Sequence, residues 1–529
     1  MNSKLLLALT FVLIIPFVAK SQADTLLQNA LKRTDPEDQL AYLTKAIERE
    51  PKNASIYFNR GIIRRSIKDY EGALADYSKV IELMPNYAYA YSNRGFVKDE
   101  MKDYAGAISD YSKAIALDPT LAKGYYNRGN TKMNTQDYEG ALRDYTKAIE
   151  LDPNQSTSYS NRANIKSLLN DNAGAVVDCS KAIELDPLNA RNFYNRGLIK
   201  STLQDNEGAI ADFSEAIELN AKHASSYFSR GNAKLDMQDF KAAIADFSKA
   251  LEISPYDAIA YANRGIAKYS LEDYEGAIAD YSKAIETDPN YSPAYFNRGL
   301  VKKAMKEYGI AIADYSKAIE LDPKYAQAYY QRGIAKKAMK DTEGAIADYS
   351  KAIELQPNYT KAFHNRGIAK KSLKDYQGAV ADYAKAIEID PSFIIAYTSM
   401  AIAESAQNNH QAAIAISEKA LAIDPNDARL LDNLGYYYME LSNYEKAIYY
   451  FKRCTNIEHS VKVDAILGLA LAYYYSNDKL NSKKCLQEAI QLKPILKQGI
   501  EGLQALEKEG YNYSNKKIAT LKVMFDEFK

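Results

Sequence analysis

The sequence predicts an all-α fold made from one two-helix unit repeated along the chain. Three observations predict it. An Asn-Arg-Gly triplet, or a close variant, returns every 34 residues over ten copies, from Asn59-Arg60-Gly61 to Asn365-Arg366-Gly367. A proline ladder keeps the same period from Pro85 to Pro425, with one gap at Asn220-Ala221. Between these marks, residues that belong to one helical face recur three and four apart. A fixed period of this length makes the repeat the unit of architecture and takes precedence over any division into globular domains.

Composition sets the outer bounds. The chain has 529 residues with 68 basic and 68 acidic side chains, and no long run of one sign. A formal charge of zero excludes the electrostatic footprint of a nucleic-acid binder. At 47% hydrophobic and 26% charged, the chain is a folded protein and not a disordered one. Three scattered cysteines without a Cys-x-x-Cys cannot form a disulfide framework. Four isolated histidines leave little material for a zinc centre, so no metal and no cofactor is expected.

Residues 1–21 read as a signal peptide. Lys4 supplies a positive charge, Leu5 to Val18 form an apolar run broken only by Thr10 and Pro16, and small residues follow at Ala19, Ser21 and Ala23. The run is shorter than the ~20 residues that span a bilayer as a helix. Cleavage is expected before Gln22 or Asp24, with an uncleaved N-terminal anchor as the alternative. The mature chain is then exported, periplasmic or extracellular, with no membrane span.

Residues 22–53 form a partial N-terminal repeat or cap, and residues 54–393 ten regular units. In the unit that starts at Ala258, Tyr261, Gly265 and Lys268 share a helical face. Glu272-Asp273-Tyr274 breaks that helix, and Asp273 is placed to cap the next one. The second helix, Tyr274 to Thr287, puts Ala277, Ile278, Tyr281, Ala284 and Ile285 on one side. Asp288-Pro289 ends it, since proline lacks an amide hydrogen and pushes the preceding residue out of the helical region. Lys283 and Glu286 belong to a solvated far face. Glycine inside a helix costs ~1 kcal/mol relative to alanine, so its return from Gly61 to Gly367 marks close approach of the paired helix. The facing partner is expected to be the alanine ladder that includes Ala277, with the aromatic ladder at Tyr281 filling the wider gaps.

Residues 394–496 read as three divergent units. The triplet gives way to Ser399-Met400-Ala401, Ile416 stands where an aspartate would, and one residue is inserted near His459 to Val463. Residues 497–529 read as C-terminal capping helices, with Leu503, Leu506, Ile518, Leu521, Phe525 and Phe528 on the apolar side. A partner-binding or self-associating helix is the alternative there.

Aromatic, Gly, Ala, aromatic, Ala and Pro, as in Tyr261, Gly265, Ala277, Tyr281, Ala284 and Pro289, resemble the tetratricopeptide repeat. Thirteen units match from Ala54 to about Leu496. Two positions depart from the family pattern: its first Trp is Tyr or Phe here, and its third aromatic is a lysine, as in Lys98, Lys268 and Lys370. The resemblance implies a right-handed superhelical α-solenoid with a concave groove, used as a peptide-binding surface. Hairpins of this kind bury their apolar faces only against their neighbours, so the array is quasi-one-dimensional.

Each arginine of the triplet has an aspartate sixteen residues later, from Arg60 and Asp76 to Arg366 and Asp382. Arg264 with Asp280 and Arg298 with Asp314 are therefore read as structural ion pairs, bound through two parallel hydrogen bonds. A ladder of anion sites is the alternative. On this reading Arg264→Ala destabilises the array more than Lys268→Ala.

Candidate peptide-binding residues come from two places. A carboxylate clamp of the family's kind finds Asn130, Asn161 and Arg191 in matching positions, but its first lysine is Tyr126, which leaves the clamp incomplete. A second patch gathers nine lysines around Lys303, Lys337 and Lys371, including Lys302, Lys306, Lys336, Lys340, Lys370 and Lys374. These lysines either meet the negative ends of helix dipoles or dock an acidic protein. Cys179, Cys454 and Cys485 read as buried thiols, and His364 and His410 as variable positions without ligand partners. Neither a Gly-rich phosphate loop nor a Ser/His/Asp arrangement is visible, so the chain is read as no enzyme. The function expected is a protein–protein interaction scaffold that binds a peptide or protein partner. The alternative is a self-associating structural spacer or adaptor in a cell-envelope or secretion assembly, with homo-oligomers.

Overall fold

The computed structural model describes residues 22–457, 462–499, 501, 502, 504 and 515–527. The signal-peptide reading, the insertion near His459, and Leu503, Leu506 and Phe528 lie outside the described residues. The chain forms two compact units, residues 1–255 and 256–529. Among the described residues both are all helical.

The repeating element is a helical hairpin. A first helix of 13 residues, such as Ala326–Ala338, turns at once into a second of 14, Thr342–Leu355. The turn holds one residue in the left-handed region, Lys340 at φ 68°, and the same conformation recurs at the matching place along the chain. None of these residues is glycine, although the left-handed region disfavours a Cβ. The turn places Asp341, whose carboxylate accepts from the Gly344 amide and caps the second helix. Asp273 does the same for Tyr274–Thr287 through Gly276.

In the first unit, hairpins run from Gln22–Leu31 and Pro36–Arg49 to Ala224–Asp236 and Phe240–Ile253, each packed on the next. In the second, they run from Ala258–Ser270 and Tyr274–Thr287 to Lys462–Tyr475 and Lys479–Leu492. The helix Asn515–Glu527 then buries Leu521 and Met524 against this last part of the core. Its Thr520 hydroxyl meets that of Tyr475 at 2.6 Å, and its Glu527 pairs with Lys479.

Two packing expectations need correction. The glycine of the first helix faces the aromatic ladder first, and the alanine ladder comes as close only secondarily, as at Gly95, where the Ala107 carbonyl oxygen would lie 3.2 Å from a Cβ. A Cβ on Gly299 would stand 2.7 Å from Tyr315 Cε1, and one on Gly265 would stand 2.8 Å from Tyr281 Cε1. The pairing is selective: where the triplet reads Asn161-Arg162-Ala163, the ring is replaced by Cys179, and opposite Ala401 stands Ser417. The first helix also buries a different stripe from the one read above. Ala260, Ala262, Gly265 and Ala267 are its buried residues. Tyr261 is half-buried with the Arg264 guanidinium 5.5 Å from its ring centre.

Candidate interaction surface

The sixteen-residue offset that sets glycine against aromatic ring also sets arginine against aspartate. Arg332 Nε and Nη2 donate to Asp348 Oδ2 and Oδ1 at 2.9 and 2.7 Å. Arg298 meets Asp314 at 3.0 and 2.7 Å, and Arg264 meets Asp280 at 2.9 and 2.6 Å. The aspartates are buried, Asp348 being 5% exposed, while Arg332 keeps 17%. The hydrogen bonds that Arg298 donates to Asp314 raise its pKa above the ordinary arginine value, against the opposing effect of burial.

Two further contacts recur around the locks. The lysine four residues after the arginine, on the same helical face, reaches the same carboxylate in most of them, Lys268 to Asp280 and Lys336 to Asp348, both at 2.8 Å, whereas Lys302 turns away from Asp314 to Glu307. The third nitrogen of the guanidinium donates to a serine of the preceding hairpin, Arg332 Nη1 to Ser316 Oγ at 3.0 Å and Arg298 Nη1 to Ser282 Oγ at 3.1 Å. Each lock therefore ties its own two helices together and joins them to the hairpin before. The serine ladder, Ser78, Ser112, Ser282, Ser316 and Ser350, keeps the 34-residue period and was the available signal for this contact.

The clamp candidates fall apart. Asn161 Nδ2 donates to Asn130 Oδ1 at 3.0 Å, and the Tyr145 hydroxyl donates to the same oxygen at 2.7 Å. One amide thus donates to the other, whose oxygen also accepts from a tyrosine. Arg191 is exposed and is not joined to them; it lines an open cleft with Tyr194, Asn195 and His223.

The nine-lysine patch divides into three groups with different surroundings. Lys336 and Lys370 belong to the locks, and Lys302 pairs with Glu307 at 2.8 Å. Lys306, Lys340 and Lys374 lie beyond the helix ends, in the left-handed turns and exposed. The dipole reading of the whole patch is corrected to that extent. Lys303, Lys337 and Lys371 are half-buried on the first helices, and Lys303 donates to Gln331 Oε1 of the next hairpin at 2.7 Å.

Sequence reading gave His364 no partner and passed over other residues on this wall. His364 is 8% exposed, its Nε2 lies 3.1 Å from Ser399 Oγ, and its ring centre is 5.3 Å from that of Phe393. Burial first, then the charges of Lys337 and Lys371, lower its pKa to about 4. In the first unit, Arg65 Nη1 donates to Asn93 Oδ1 at 2.9 Å, the register that Lys303 and Gln331 occupy in the second. Asp99 is raised by burial, and Lys123 is lowered by burial and by Arg65. The three cysteines are buried thiols, with Cys179 and Cys454 pushed up to about 12 and Cys485 to about 11 by burial.

This arrangement defines a class: helical hairpins locked by recurring ion pairs, with a first-helix wall whose residues differ from repeat to repeat. Comparison with known families gives the class its name. The tetratricopeptide repeat matches at 122–155, 258–291, 292–325, 326–359 and 360–393. Further tetratricopeptide-repeat matches fall at 63–99, 100–136 and 231–271, at 42–75 and 417–449, and at 190–223, 394–427 and 463–495. The chain belongs to the tetratricopeptide repeat family. Proteins of this family are generally non-enzymatic scaffolds that bind protein partners, and the chain carries the repeats of such a scaffold. No curated protein matches it. Among solved structures it is similar to YrrB, titled a TPR protein with an unusual peptide-binding site, at 27% identity. That match covers 35% of this chain and 96% of YrrB, with a TM-score of 0.31. A tetratricopeptide repeat protein from Parabacteroides merdae is 20% identical over 47% of this chain and 98% of its own, with a TM-score of 0.39. Yeast Tom70 is 19% identical over 79% and 99%, with a TM-score of 0.33. Among the described residues, no helix is long and apolar enough to cross a membrane.

Proposed function

We propose that this chain is a non-enzymatic scaffold that holds a peptide or a segment of a partner protein along the wall of its first helices. One observation carries the reading. The arginine–aspartate pair is the same in all ten regular units, while the half-buried wall position five residues after the arginine changes freely, as Asp99, Met133, Ser201 and Lys303. Residues that hold a repeat together must recur, and residues that meet a ligand have no such obligation. The Asn130–Asn161 clamp is not part of the proposal, because Tyr126 stands where its first lysine would and Arg191 joins neither amide.

The scaffold acts outside the cytoplasm, after removal of residues 1–21. The test is chemical crosslinking in native envelopes followed by mass spectrometry. Crosslinks from first-helix wall residues to one foreign protein support the reading. Crosslinks only between copies of this chain, with mass that grows with concentration in light scattering, favour the self-associating spacer instead. N-terminal sequencing of the exported chain should start at Gln22 or Asp24, and recovery of Met1 contradicts export by cleavage.

A further inference from the structure

Three first helices of the second unit, Ser292–Ala304, Ala326–Ala338 and Thr360–Ser372, contain no aspartate or glutamate. Each ends in two adjacent lysines. The first of each pair is neutralised, by Glu307, Asp348 or Asp382. The second, Lys303, Lys337 or Lys371, lies about 100° further round the helix and has no carboxylate partner among the described residues. Lys303 has only the neutral amide of Gln331, and Lys337 and Lys371 make no hydrogen bond among the described residues.

Two of these ammonium groups, Lys303 and Lys337, are not where an isolated charge is comfortable. Burial lowers the pKa of Lys303, and burial together with Lys371 lowers that of Lys337. Lys337 and Lys371 also act together on His364, which puts the three side chains on one stretch of wall. Charge removed from water without a counter-charge is unfavourable. The fold does not require it: the first unit has one cation in this register, Arg65, and then Asp99, Met133, Ser167, Ser201 and Leu235. A row of cations that the hairpins neither need nor neutralise is complementary to a ligand that brings the carboxylates.

Resting on the scaffold reading above, we propose that the wall of Lys303, Lys337 and Lys371 takes an extended acidic peptide segment, internal to its own protein, whose Asp or Glu side chains supply the missing counter-charges. A free C-terminus offers one carboxylate and answers one lysine, whereas three lysines in three successive repeats match a segment with several. Three cations in a chain of zero formal charge do not make the extended basic footprint of a nucleic-acid site.

The test uses the mature chain and a fluorescent twelve-residue peptide of alternating Glu and Thr, blocked at both ends, followed by anisotropy. A matched peptide with Gln in place of Glu is the neutral control. The Glu peptide should bind at least about tenfold tighter than the Gln peptide and weaken with salt. K303Q/K337Q/K371Q should lose at least about tenfold, K303R/K337R/K371R should retain binding, and K306Q/K340Q/K374Q, which removes equal charge from the exposed turns, should bind as wild type. If the glutamine triple unfolds, the arginine triple and the turn triple decide. Equal loss in the wall and turn triples overturns the proposal. So does equal binding of the two peptides, or displacement by an oligothymidylate as effective as the unlabelled Glu peptide. If the Glu peptide fails while wild type and K303Q/K337Q/K371Q crosslink the same envelope protein, the acidic-segment proposal falls and the scaffold reading stands. If wild type crosslinks no foreign protein, both fall.

Discussion

Asp348→Asn is the sharpest probe of the lock, because the change keeps the side chain's shape and removes only its charge. Asp348 accepts two hydrogen bonds from Arg332 and one ion pair from Lys336 while 5% exposed. Asparagine leaves two cations facing an amide, and breaking a buried pair by removing one partner costs ~3–5 kcal/mol. Arg332 and Lys336 keep 17% and 22% of their exposure, so the lower figure, ~3 kcal/mol, is expected. Lys336→Met retains the stem and loses one of three contacts from the more exposed cation, a cost of ~1 kcal/mol. Arg332→Met should fall near Asp348→Asn, since it also gives up the Ser316 tie to the preceding hairpin. The double change R332M/D348L replaces the pair by apolar groups and should recover most of the loss. In a quasi-one-dimensional array the effect is local. Hydrogen exchange of residues 326–355 should therefore accelerate by about two orders of magnitude for Asp348→Asn, and urea unfolding followed by circular dichroism should place the four variants in the stated order. A Lys336→Met loss as large as that of Asp348→Asn, or a double variant no more stable than its singles, refutes the reasoning.

Gly299→Ala should lower the melting temperature through overpacking worth ~1–3 kcal/mol, because its Cβ meets the buried Tyr315 ring at 2.7 Å. G299A/Y315C should recover part of that loss, following the chain's own Ala163–Cys179 pair; no recovery in calorimetry contradicts the contact. His364 has a folded pKa of about 4 against 6.5 for the free side chain. The unfolded chain therefore binds the proton first, and the stability that neutral His364 contributes is present above pH 6.5 and lost as pH falls toward 4. His364→Phe should flatten that part of the stability profile, and K371Q should raise the His364 pKa in an NMR titration. Burial raises all three thiols, so Ellman's reagent should react with the chain only after denaturant is added. Rapid reaction of the native chain would place at least one thiol at the surface.

What was legible in the sequence was whatever repeats at a fixed offset. Arg264 predicts Asp280 and Gly265 predicts Tyr281 by the same sixteen residues, because one hairpin geometry aligns both rungs. The second rung was assigned to the wrong ladder: period alone says that glycine faces something close, and only the joint change to Ala163 and Cys179 says what. The turn conformation left no trace in composition, since Lys306, Lys340 and Glu272 occupy a backbone region that glycine would have announced. Lys302 and Lys303 differ by one step in sequence and by a quarter-turn or so in direction. That step separates a lysine consumed by a carboxylate from one left for a partner. The spacing of four between Arg332 and Lys336 puts both on one face, but the sequence alone left that lysine ladder unassigned, and Lys302 at the same spacing from Arg298 turns to Glu307 instead. The structure separates the two burdens of this sequence. Arginine, aspartate, glycine and aromatic ring fix one another across each hairpin, and a change in any one demands a change in its mate. Wall residues such as Lys303 and Lys337 answer to no such partner across the hairpin, so this chain can alter what it binds repeat by repeat without disturbing how it folds.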